Sequence, residues 1–299
     1  MLIYKYSQLH DMSIGYKESL QICKNARKLH LGQFKLFFSE LLFLSKYAKT
    51  GDKILYIGAA PGYHIQKLAE FFPECIFELW DPREFDIKKL DNIIMYQELF
   101  TDNIAKKYAI DGSDYLLMCD IRNLDIDKSK KNNNIEEMDN IVCDDMKLQL
   151  NWCQIINPRK AYIKFRLPYE IPKYQYLTGT IYLQPYSKIS TETRLSTSDY
   201  THLIEYDTLE FEKKMAYHNG HTRCLSYPKN KWSTLIKKYN LYDCWDTVFA
   251  LYILFQYVSR NIEIIDESKL KENAIVLFLS IIKFHEKKYG KKYNILFDK

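Results

Sequence analysis

The sequence lacks any pair of cysteines at the spacing of a metal knuckle or a redox motif. Its seven cysteines are Cys23, Cys75, Cys119, Cys143, Cys153, Cys224 and Cys244, and they form no C-x-x-C pair. Several lie inside apolar strand or helix patterns, where a free cysteine behaves as a small hydrophobic residue. The spacing therefore disfavours a zinc site and predicts a protein of a reducing compartment.

The sequence also lacks a hydrophobic stretch long enough to cross a bilayer, which takes roughly 20 residues. The most apolar stretches are Val248–Val258 and Ala274–Phe284, and both are shorter than that. The first residues, MLIYKYSQLHDM, have no apolar core of the kind that a signal peptide needs. We therefore expect a soluble protein without a membrane partner.

A third glycine is missing from the turn that follows the first strand pattern. Residues 54–64 read ILYIGAAPGYH, in which a buried-strand pattern ends at Gly58 and a second glycine follows at Gly62. A dinucleotide fingerprint would read G-x-G-x-x-G, so this spacing disfavours NAD. We expect glycine at these positions because a side chain would strike a bound ligand.

Charge and composition leave several classes of partner open. The 299 residues carry a net charge of +5, and 47% are hydrophobic. The mild positive excess permits a polyanionic partner without establishing one. The 25 tyrosines and 16 phenylalanines can stack on nucleic-acid bases or fill a core, but we favour a compositionally biased genome as their main cause.

Strand patterns alternate with helix patterns through the first two-thirds of the chain. The predicted strands are residues 53–57, 75–81, 92–98, 115–122, 161–167, 179–186 and 202–207. The predicted helices are residues 32–48, 63–72, 135–156, 243–260 and 269–288, after a partly helical approach at 17–31. This alternation predicts an α/β fold with a mostly parallel sheet covered by helices on both faces.

We find no internal repeat and no convincing linker, so residues 1–299 are predicted to form a single domain. Within it we expect an N-terminal segment at 1–30, an exposed polar loop at 127–134 and C-terminal helices at 243–299. The apolar C-terminal helices can pack into the core or dock against another subunit, and we favour the core.

An acid follows the second strand pattern and suggests a nucleoside ligand. Asp81 ends that strand, twenty-three residues after Gly58. A carboxylate there can hydrogen-bond both hydroxyls of a ribose. Since the glycine turn has no phosphate-cradling spacing, a nucleoside without a pyrophosphate is favoured, and S-adenosylmethionine fits that description. The alternative is a tight strand-to-helix turn with a solvated aspartate.

Four charged residues fit poorly as structure and well as catalysts. Lys35 lies in a buried helix, Asp120 ends the fourth strand, Lys164 interrupts the run AYIKFRL, and Glu192 lies in STETRL. Each has an ordinary explanation as an edge lysine, a cap or a solvated acid. Together they suit methyl transfer to a sugar hydroxyl, because a lysine made neutral by burial and a nearby cation can accept the hydroxyl proton. This chemistry requires no metal.

With these residues identified, the chain resembles the poxvirus cap-specific mRNA (nucleoside-2′-O-)-methyltransferase family. Six blocks carry the resemblance in the same order: ARKLHLGQFKLFFSELLFLSK, YIGAAPGYHI, CDIRN, IKFRLP, LQPYSKISTETRL and FEKKMAY. The resemblance implies a Rossmann-like S-adenosylmethionine-dependent methyltransferase fold whose central, mostly parallel sheet has seven strands. It also implies that Lys35, Asp120, Lys164 and Glu192 are the catalytic tetrad, with Lys164 as the base.

The resemblance assigns binding residues as well. For the S-adenosylmethionine site it implies Gln33, Tyr56, Gly58, Gly62, Asp81 and Arg83, whereas His64 is expected to be a helix-start residue. For the capped RNA it implies Tyr16, Arg166, Tyr169, Glu170, Ser190 and Glu212. Tyr16 and Tyr169 would sandwich the cationic 7-methylguanine.

The chain departs from the family pattern at two of these places. The second acid that reads the cap would fall at position 171, where this chain has Ile171, so Glu170 is expected to substitute for it. Asp81 is followed by Pro82 where the family has glycine. Selection for the methylated cap is the property that the departure at Glu170 and Ile171 affects.

The resemblance also implies partners and leaves other functions open. It implies capped mRNA as substrate, a poly(A) polymerase catalytic subunit as a heterodimer partner, and a location in the virion or the host cytoplasm. One alternative is a non-catalytic RNA-binding subunit that stimulates the polymerase. Another is a small-molecule methyltransferase, which leaves the cap-binding residues unexplained.

Overall fold

The computed structural model describes residues 2–9, 16–25, 30–110, 114–122, 135–223, 231–260, 266–290 and 292–297. The loop predicted at 127–134 lies outside the described residues, as does part of the N-terminal segment. None of the helices found in these ranges has the length and the apolar character needed to span a membrane.

The strands predicted from the apolar patterns form one large sheet. Numbered in chain order, the described strands are β1 (Lys53–Ile57), β2 (Ile76–Trp80), β3 (Ile93–Tyr96), β4 (Tyr115–Cys119), β5 (Lys160–Phe165), β6 (Lys173–Leu177), β7 (Thr180–Tyr182), β8 (Thr193–Thr197) and β9 (Leu203–Asp207). Seven of them form a sheet in the order β3-β2-β1-β4-β5-β8-β7. The first five in that order pair in parallel, and β8 is antiparallel to both of its neighbours. The predicted mostly parallel, seven-stranded sheet is confirmed.

The seventh strand of the sheet is not the one that the pattern predicted. The predicted strand at 202–207 is β9, and it pairs with β6 in a separate two-stranded antiparallel sheet. The central sheet is completed instead by β8, which inserts between β5 and β7. Strand β8 reads TRLST and is buried throughout, so it carries no apolar alternation that sequence reading could detect.

Helices cover the sheet. In chain order the described α-helices are α1 (Tyr16–Asn25), α2 (Gly32–Tyr47), α3 (Tyr63–Phe71), α4 (Asp102–Tyr108), α5 (Ile135–Ile156), α6 (Thr208–Tyr217), α7 (Ser233–Lys238), α8 (Trp245–Ser259) and α9 (Glu267–Tyr289). A five-residue π-helix, His218–Thr222, continues α6. The prediction at 135–156 matches α5, and the three short helices α4, α6 and α7 were not predicted because few turns give little periodicity.

Helix α2 lies at the centre of the core. Phe34, Phe37, Phe38 and Leu41 are fully buried in it, as its apolar sequence predicted. Helix α2 packs against β5, α3 and α8, and α8 in turn packs against α9. The C-terminal helices therefore contribute to the core, as expected.

The parallel strands bring the ligand-side residues to one edge of the sheet. Strand β1 runs into Gly58, β2 into Asp81 and β4 into Asp120, because the carboxyl ends of parallel strands meet at the same edge. Lys164 is the fifth residue of β5, beside them. This edge is where the site is built.

Candidate active site

A cavity of about 550 Å³ opens at the carboxyl edge of the sheet. Ten residues expected from the sequence to form the site line it, namely Gln33, Lys35, Tyr56, Gly58, Arg83, Asp120, Lys164, Arg166, Ser190 and Glu192. The other six expected residues, Tyr16, Gly62, Asp81, Tyr169, Glu170 and Glu212, do not line it. The lining also includes three basic residues that the sequence did not single out, His30, Arg122 and Lys188.

Buried Lys164 and half-buried Asp120 form an ion pair in this cavity. Lys164 Nζ lies 2.9 Å from Asp120 Oδ1 and donates a 2.6 Å hydrogen bond to Ile121 O. The Lys164 backbone N–H donates to Gln149 Oε1 at 3.0 Å and its C=O accepts from Gln149 Nε2 at 3.1 Å, because β4 has ended at Cys119 and no longer supplies ladder partners. Lys164 is thereby held at both its backbone and its ammonium group.

Buried Lys35 and half-buried Glu192 form a second ion pair. Lys35 Nζ lies 2.5 Å from Glu192 Oε1, and Arg122 Nη2 lies 3.7 Å from Glu192 Oε2. The four charged residues that looked misplaced in the sequence therefore meet in one cavity as two ion pairs.

The cluster contains a further cation that sequence reading missed. The Arg194 side chain is 2% exposed, and its Nη2 donates to Asp120 Oδ1 at 2.9 Å. The spacing in the sequence could have indicated Arg194, because it follows Glu192 by two residues and the two side chains would lie on the same face of an extended segment. Since β8 was not predicted as a strand, that relationship was not visible.

The charges of the cluster shift the pKa values of its members. Burial disfavours ionisation of Asp120, yet Arg194, Lys164 and Lys35 hold the pKa of its carboxyl far below the usual range. The same three cations hold the pKa of Glu192 far below its usual range against the effect of burial. Burial lowers the pKa of Lys35, although Glu192 opposes this effect. Both acids are therefore ionised at neutral pH.

The protein's own atoms and backbone conformation explain why positions 58 and 62 of the turn are glycine. Gly58 has a φ of 81°, and a Cβ there would lie 2.7 Å from Ile121 N and 2.8 Å from the carbonyl carbon of Asp120. At Gly62, with a φ of 77°, a Cβ would meet the side chain of Ile87. The turn therefore needs glycine for reasons within the protein: backbone approaches closely at Gly58, and both positions have left-handed backbone. Collision of a side chain with a ligand at these positions stays a prediction.

Asp81 is buried rather than solvated, and its carboxylate is saturated. Its Oδ2 accepts from Ala60 N at 3.0 Å and from Arg83 Nη2 at 2.8 Å. Its Oδ1 accepts from Arg83 N and Arg83 Nε, both at 2.9 Å. A carboxylate offers about four acceptor positions, so these bonds use all of them.

Four neighbouring polar side chains, Tyr56, Glu40, His64 and Gln33, form a series beside the cavity. Tyr56 OH donates to Glu40 Oε1 at 2.6 Å, and Glu40 Oε2 lies 2.9 Å from His64 Nε2. His64 Nδ1 lies 2.8 Å from Gln33 Oε1. His64 is the second residue of α3, as expected for a helix-start residue, and it also lines the cavity. Glu40, which connects Tyr56 with His64, was not anticipated.

Two of the residues expected to bind the 7-methylguanine base, Tyr16 on α1 and Glu212 on α6, lie in contact with each other. Tyr16 OH donates a hydrogen bond to Glu212 Oε1. Burial raises the pKa of Tyr16 to about 12, and the hydrogen bond to Glu212 acts in the same direction. The phenol is therefore protonated at neutral pH and free to donate to this carboxylate.

The other two residues expected to bind the 7-methylguanine base, Tyr169 and Glu170, lie in the turn after β5. Tyr169 N and Glu170 N both donate to Asp139 Oδ2 at 2.6 Å, so a helix α5 side chain fixes the turn. The Arg166 guanidinium lies 5.2 Å from the centre of the Tyr169 ring. Tyr169 OH lies 3.2 Å from Thr191 Oγ1, beside Glu192. Tyr169 thus joins the β5 turn to the loop that carries Glu192.

Comparison with known proteins gives one family and several viral relatives. A family model described as "Poly A polymerase regulatory subunit" matches residues 3–286. A "Cap-specific mRNA (nucleoside-2′-O-)-methyltransferase" of Myxoma virus (strain Lausanne) is 28% identical over 240 residues, covering 72% of this chain and 68% of the relative. The protein of that name from Fowlpox virus (strain NVSL) is 28% identical over 272 residues, covering 79% and 83%. The resemblance expected from the sequence is confirmed.

Proposed function

We propose that this chain, which belongs to the poly A polymerase regulatory subunit family, methylates capped mRNA. The reaction would transfer a methyl group from S-adenosylmethionine to the ribose 2′-hydroxyl of the first transcribed nucleotide of 7-methylguanosine-capped mRNA. The observation that carries the proposal is the Lys164–Asp120 ion pair, 2.9 Å apart, which lines a cavity of about 550 Å³. The names of the Myxoma virus and Fowlpox virus relatives agree with this activity.

In this proposal Lys164 removes the 2′-hydroxyl proton. The ammonium must first lose its own proton, because only the neutral amine can accept the hydroxyl proton. Asp120 Oδ1 and Ile121 O fix the direction of the Lys164 nitrogen. Alignment of the hydroxyl with the methyl donor then supplies much of the rate.

The residues on the β1 and β2 side are proposed to hold the methyl donor. The cavity volume lies in the range of about 300–1,000 Å³ that small-molecule ligands occupy. Gln33, Tyr56, Gly58, Gly62, Asp81 and Arg83 form the donor site in this proposal. S-adenosylmethionine, when bound, supplies a methyl group on a positively charged sulfur. Because the Asp81 carboxylate is saturated, Arg83 must give up at least one bond before Asp81 can accept from ribose hydroxyls.

The cap is proposed to bind outside the cavity, between Tyr16 and Tyr169. A cationic base between two aromatic rings gains cation–π stabilisation, and Glu212 and Glu170 provide acceptors for its edge. Arg166 and Ser190 line the cavity and are proposed to contact the RNA between the cap and the reacting ribose. Arg122 and Lys188 add positive charge to the same lining, which suits a phosphate backbone.

The experiment is methyl transfer to capped and uncapped RNA of the same sequence. We expect Lys164→Ala to abolish transfer to capped RNA while S-adenosylmethionine binding, measured by calorimetry, stays within about threefold. Lys160→Ala is the matched control, because Lys160 begins the same strand and does not line the cavity. Equal wild-type activity on capped and uncapped RNA would contradict the cap-specific part of the proposal.

Family membership supports a second role as the regulatory subunit of a poly(A) polymerase. We propose that the chain binds the polymerase catalytic subunit and RNA in the virion or the host cytoplasm. Tail length made by the catalytic subunit, measured with wild-type chain and with Lys164→Ala, separates the two roles. Stimulation by both proteins, together with no methylation by either, would favour a non-catalytic RNA-binding subunit.

A further inference from the structure

The loop at residues 186–192 forms one wall of the cavity. Ser187, Lys188, Ser190 and Glu192 all line the cavity. Glu192 also holds Lys35 through their 2.5 Å ion pair. The position of this loop therefore decides where Glu192 lies and, through it, where Lys35 lies.

Two buried side chains that do not line the cavity hold the start of this loop. Asp246 Oδ1, at the beginning of α8, accepts from Tyr186 N at 2.6 Å. Arg223 donates from Nε to Asp246 Oδ2 at 2.9 Å and from Nη2 to Asp246 Oδ1 at 2.7 Å. Arg223 Nη2 also donates to Ser187 O at 3.1 Å. The Arg223–Asp246 ion pair thus hydrogen-bonds the backbone of two consecutive loop residues, Tyr186 and Ser187.

A third buried side chain holds the far end of the loop. Asn219 Nδ2 donates to Ser190 O at 3.1 Å, and Asn219 Oδ1 accepts from Arg223 Nη1 at 3.3 Å. Asn219, Arg223 and Asp246 are 3%, 7% and 2% exposed, respectively. They form one connected network, which we call the loop clamp.

The loop needs such a clamp because its backbone is strained at one point. Tyr186 has a φ of 58°, a left-handed conformation that a bulky residue rarely adopts. Such conformations persist only where the surroundings over-determine them. The Tyr186 N–H is held by Asp246, and the Tyr186 C=O accepts from Leu31 N at 3.1 Å, immediately before helix α2.

The loop clamp also joins the loop to the helix that carries Glu212. Asn219 lies in the π-helix that continues α6, and Arg223 follows that π-helix directly. Glu212 lies in α6 and accepts from Tyr16 OH. One continuous helical segment therefore connects the Tyr16–Glu212 pair to the loop beside Lys35.

We propose that Asn219, Arg223 and Asp246 are positioning residues that fix the 186–192 loop and link its order to occupation of the Tyr16–Glu212 site. This inference rests on the proposed function, because the occupant of that site is the capped end of the RNA. The three residues touch neither the RNA nor the methyl donor. They act through the loop, by placing Glu192 and Lys35 around the reacting ribose.

The first test compares Asn219→Leu with Asn92→Leu. Leucine removes the donor to Ser190 O without leaving a buried charge unpaired, so the variant is expected to fold. Asn92 is the matched control, because its Nδ2 also donates to carbonyl oxygens, including Ala69 O at 3.1 Å, away from the cavity. Both variants should lose thermal stability.

For Asn219→Leu we expect kcat on capped RNA to fall about 10- to 100-fold, as displacement of a catalytic group by about 1 Å can do. The Kd for S-adenosylmethionine should stay within about twofold, and Asn92→Leu should keep the wild-type kcat per folded molecule. An equal fall in kcat for the two variants, or a Kd that rises as much as kcat falls, would overturn the inference.

A second test does not depend on methyl transfer. Hydrogen exchange at the Tyr186 and Glu192 amides is measured with and without 7-methylguanosine triphosphate. We expect the cap analogue to slow exchange at these amides in the wild type and in Asn92→Leu, and not in Asn219→Leu. Slowing of the same size in all three proteins overturns the link. If the wild type shows this protection and no methylation, the proposed activity fails while the link stands.

Discussion

Arg194 Nη2 donates a 2.9 Å hydrogen bond to Asp120 Oδ1, the oxygen that also faces the Lys164 ammonium. One buried carboxylate oxygen thus serves two cations. Because a guanidinium stays protonated at any working pH, Arg194 is a permanent positive charge beside amines that can lose theirs. Burial lowers the pKa of Lys35, and the charge of Arg194 acts in the same direction.

Replacing that permanent charge should change the pH dependence of the reaction. Arg194→Gln keeps an amide donor for Asp120 and removes a positive charge that, together with burial, lowers the pKa of Lys35, so the Lys35 ammonium should keep its proton to higher pH. We expect kcat to fall about 10- to 100-fold at neutral pH, and the rising limb of kcat against pH to move to higher pH.

The control for this variant is Arg159→Gln. Arg159 pairs with Asp52 at the amino end of the strands, where its Nη1 lies 2.9 Å from Asp52 Oδ1. That end is opposite the cavity, so the control should keep the wild-type pH–rate profile. An unchanged profile in Arg194→Gln would show that the guanidinium acts only as a structural donor.

Substitution of Gly58 should damage both stability and activity. Alanine at either Gly58 or Gly51 must adopt a left-handed conformation, with φ of 81° and 84°, at a cost of about 1–2 kcal/mol. Only at Gly58 would the new Cβ meet backbone, since no described atom lies within 4 Å of it at Gly51. The collision should add about 1–3 kcal/mol at Gly58 and displace Asp120.

Urea unfolding and methyl-transfer assays of the two alanine variants check this prediction. We expect Gly58→Ala to be the less stable of the two and to lose activity per folded molecule, whereas Gly51→Ala should keep it. Equal losses of stability would mean that the backbone of Asp120 and Ile121 yields without cost.

His285 should make the protein sensitive to acid. The side chain is fully buried, and neither ring nitrogen has a hydrogen-bond partner among the described residues. Burial lowers its pKa from 6.5 to about 3, and the charge of His64 acts in the same direction. Between those pH values the unfolded chain binds a proton that the folded chain does not. The free energy of unfolding therefore falls as pH falls through this window, by about 1.4 kcal/mol per pH unit for this residue.

His285→Phe should remove this part of the pH dependence, because phenylalanine binds no proton and suits the surrounding rings of Phe34 and Tyr289. The measurement is urea unfolding between pH 4 and pH 7. His202→Phe is the control, since that side chain is 80% exposed. Parallel pH profiles of wild type and His285→Phe would show that His285 is not neutral in the folded protein.

The sequence was sufficient where local pattern decides structure. The apolar run KILYI predicted strand 53–57, and the amphipathic pattern predicted helix 135–156, at the bounds that the structure has. Because parallel strands end at one edge, placing Asp120 and Lys164 at strand ends also predicted that they meet. Strand ends account for Asp120 and Lys164 only, because Lys35 lies on helix α2 and Glu192 precedes β8, which the pattern did not predict.

Sequence reading failed where distant residues decide the structure. Strand 193–197 is polar and buried, since Arg194 in it is neutralised by Asp120 from β4 rather than by a neighbour in sequence. The loop clamp is similar, because Arg223 and Asp246 lie on separate elements and nothing near either residue signals the pair. From the sequence alone, a charged side chain in a polar segment is predicted to be exposed, because its distant partner is not known.

Tyr16 offers a test of cap binding in which ring and hydroxyl are separated. Tyr16→Phe keeps an aromatic face for 7-methylguanine and removes the donor to Glu212, so the KM for capped RNA should change less than about threefold. Tyr16→Ala removes the face, and its KM for capped RNA should rise about tenfold or more, as loss of about 1–2 kcal/mol implies. Activity on uncapped RNA of the same sequence should be the same in all three proteins, because that substrate has no base to stack. If Tyr16→Ala impairs both RNAs equally, Tyr16 supports the fold around α1 and α6 rather than the cap. If it impairs neither, the methylated base binds elsewhere on the protein.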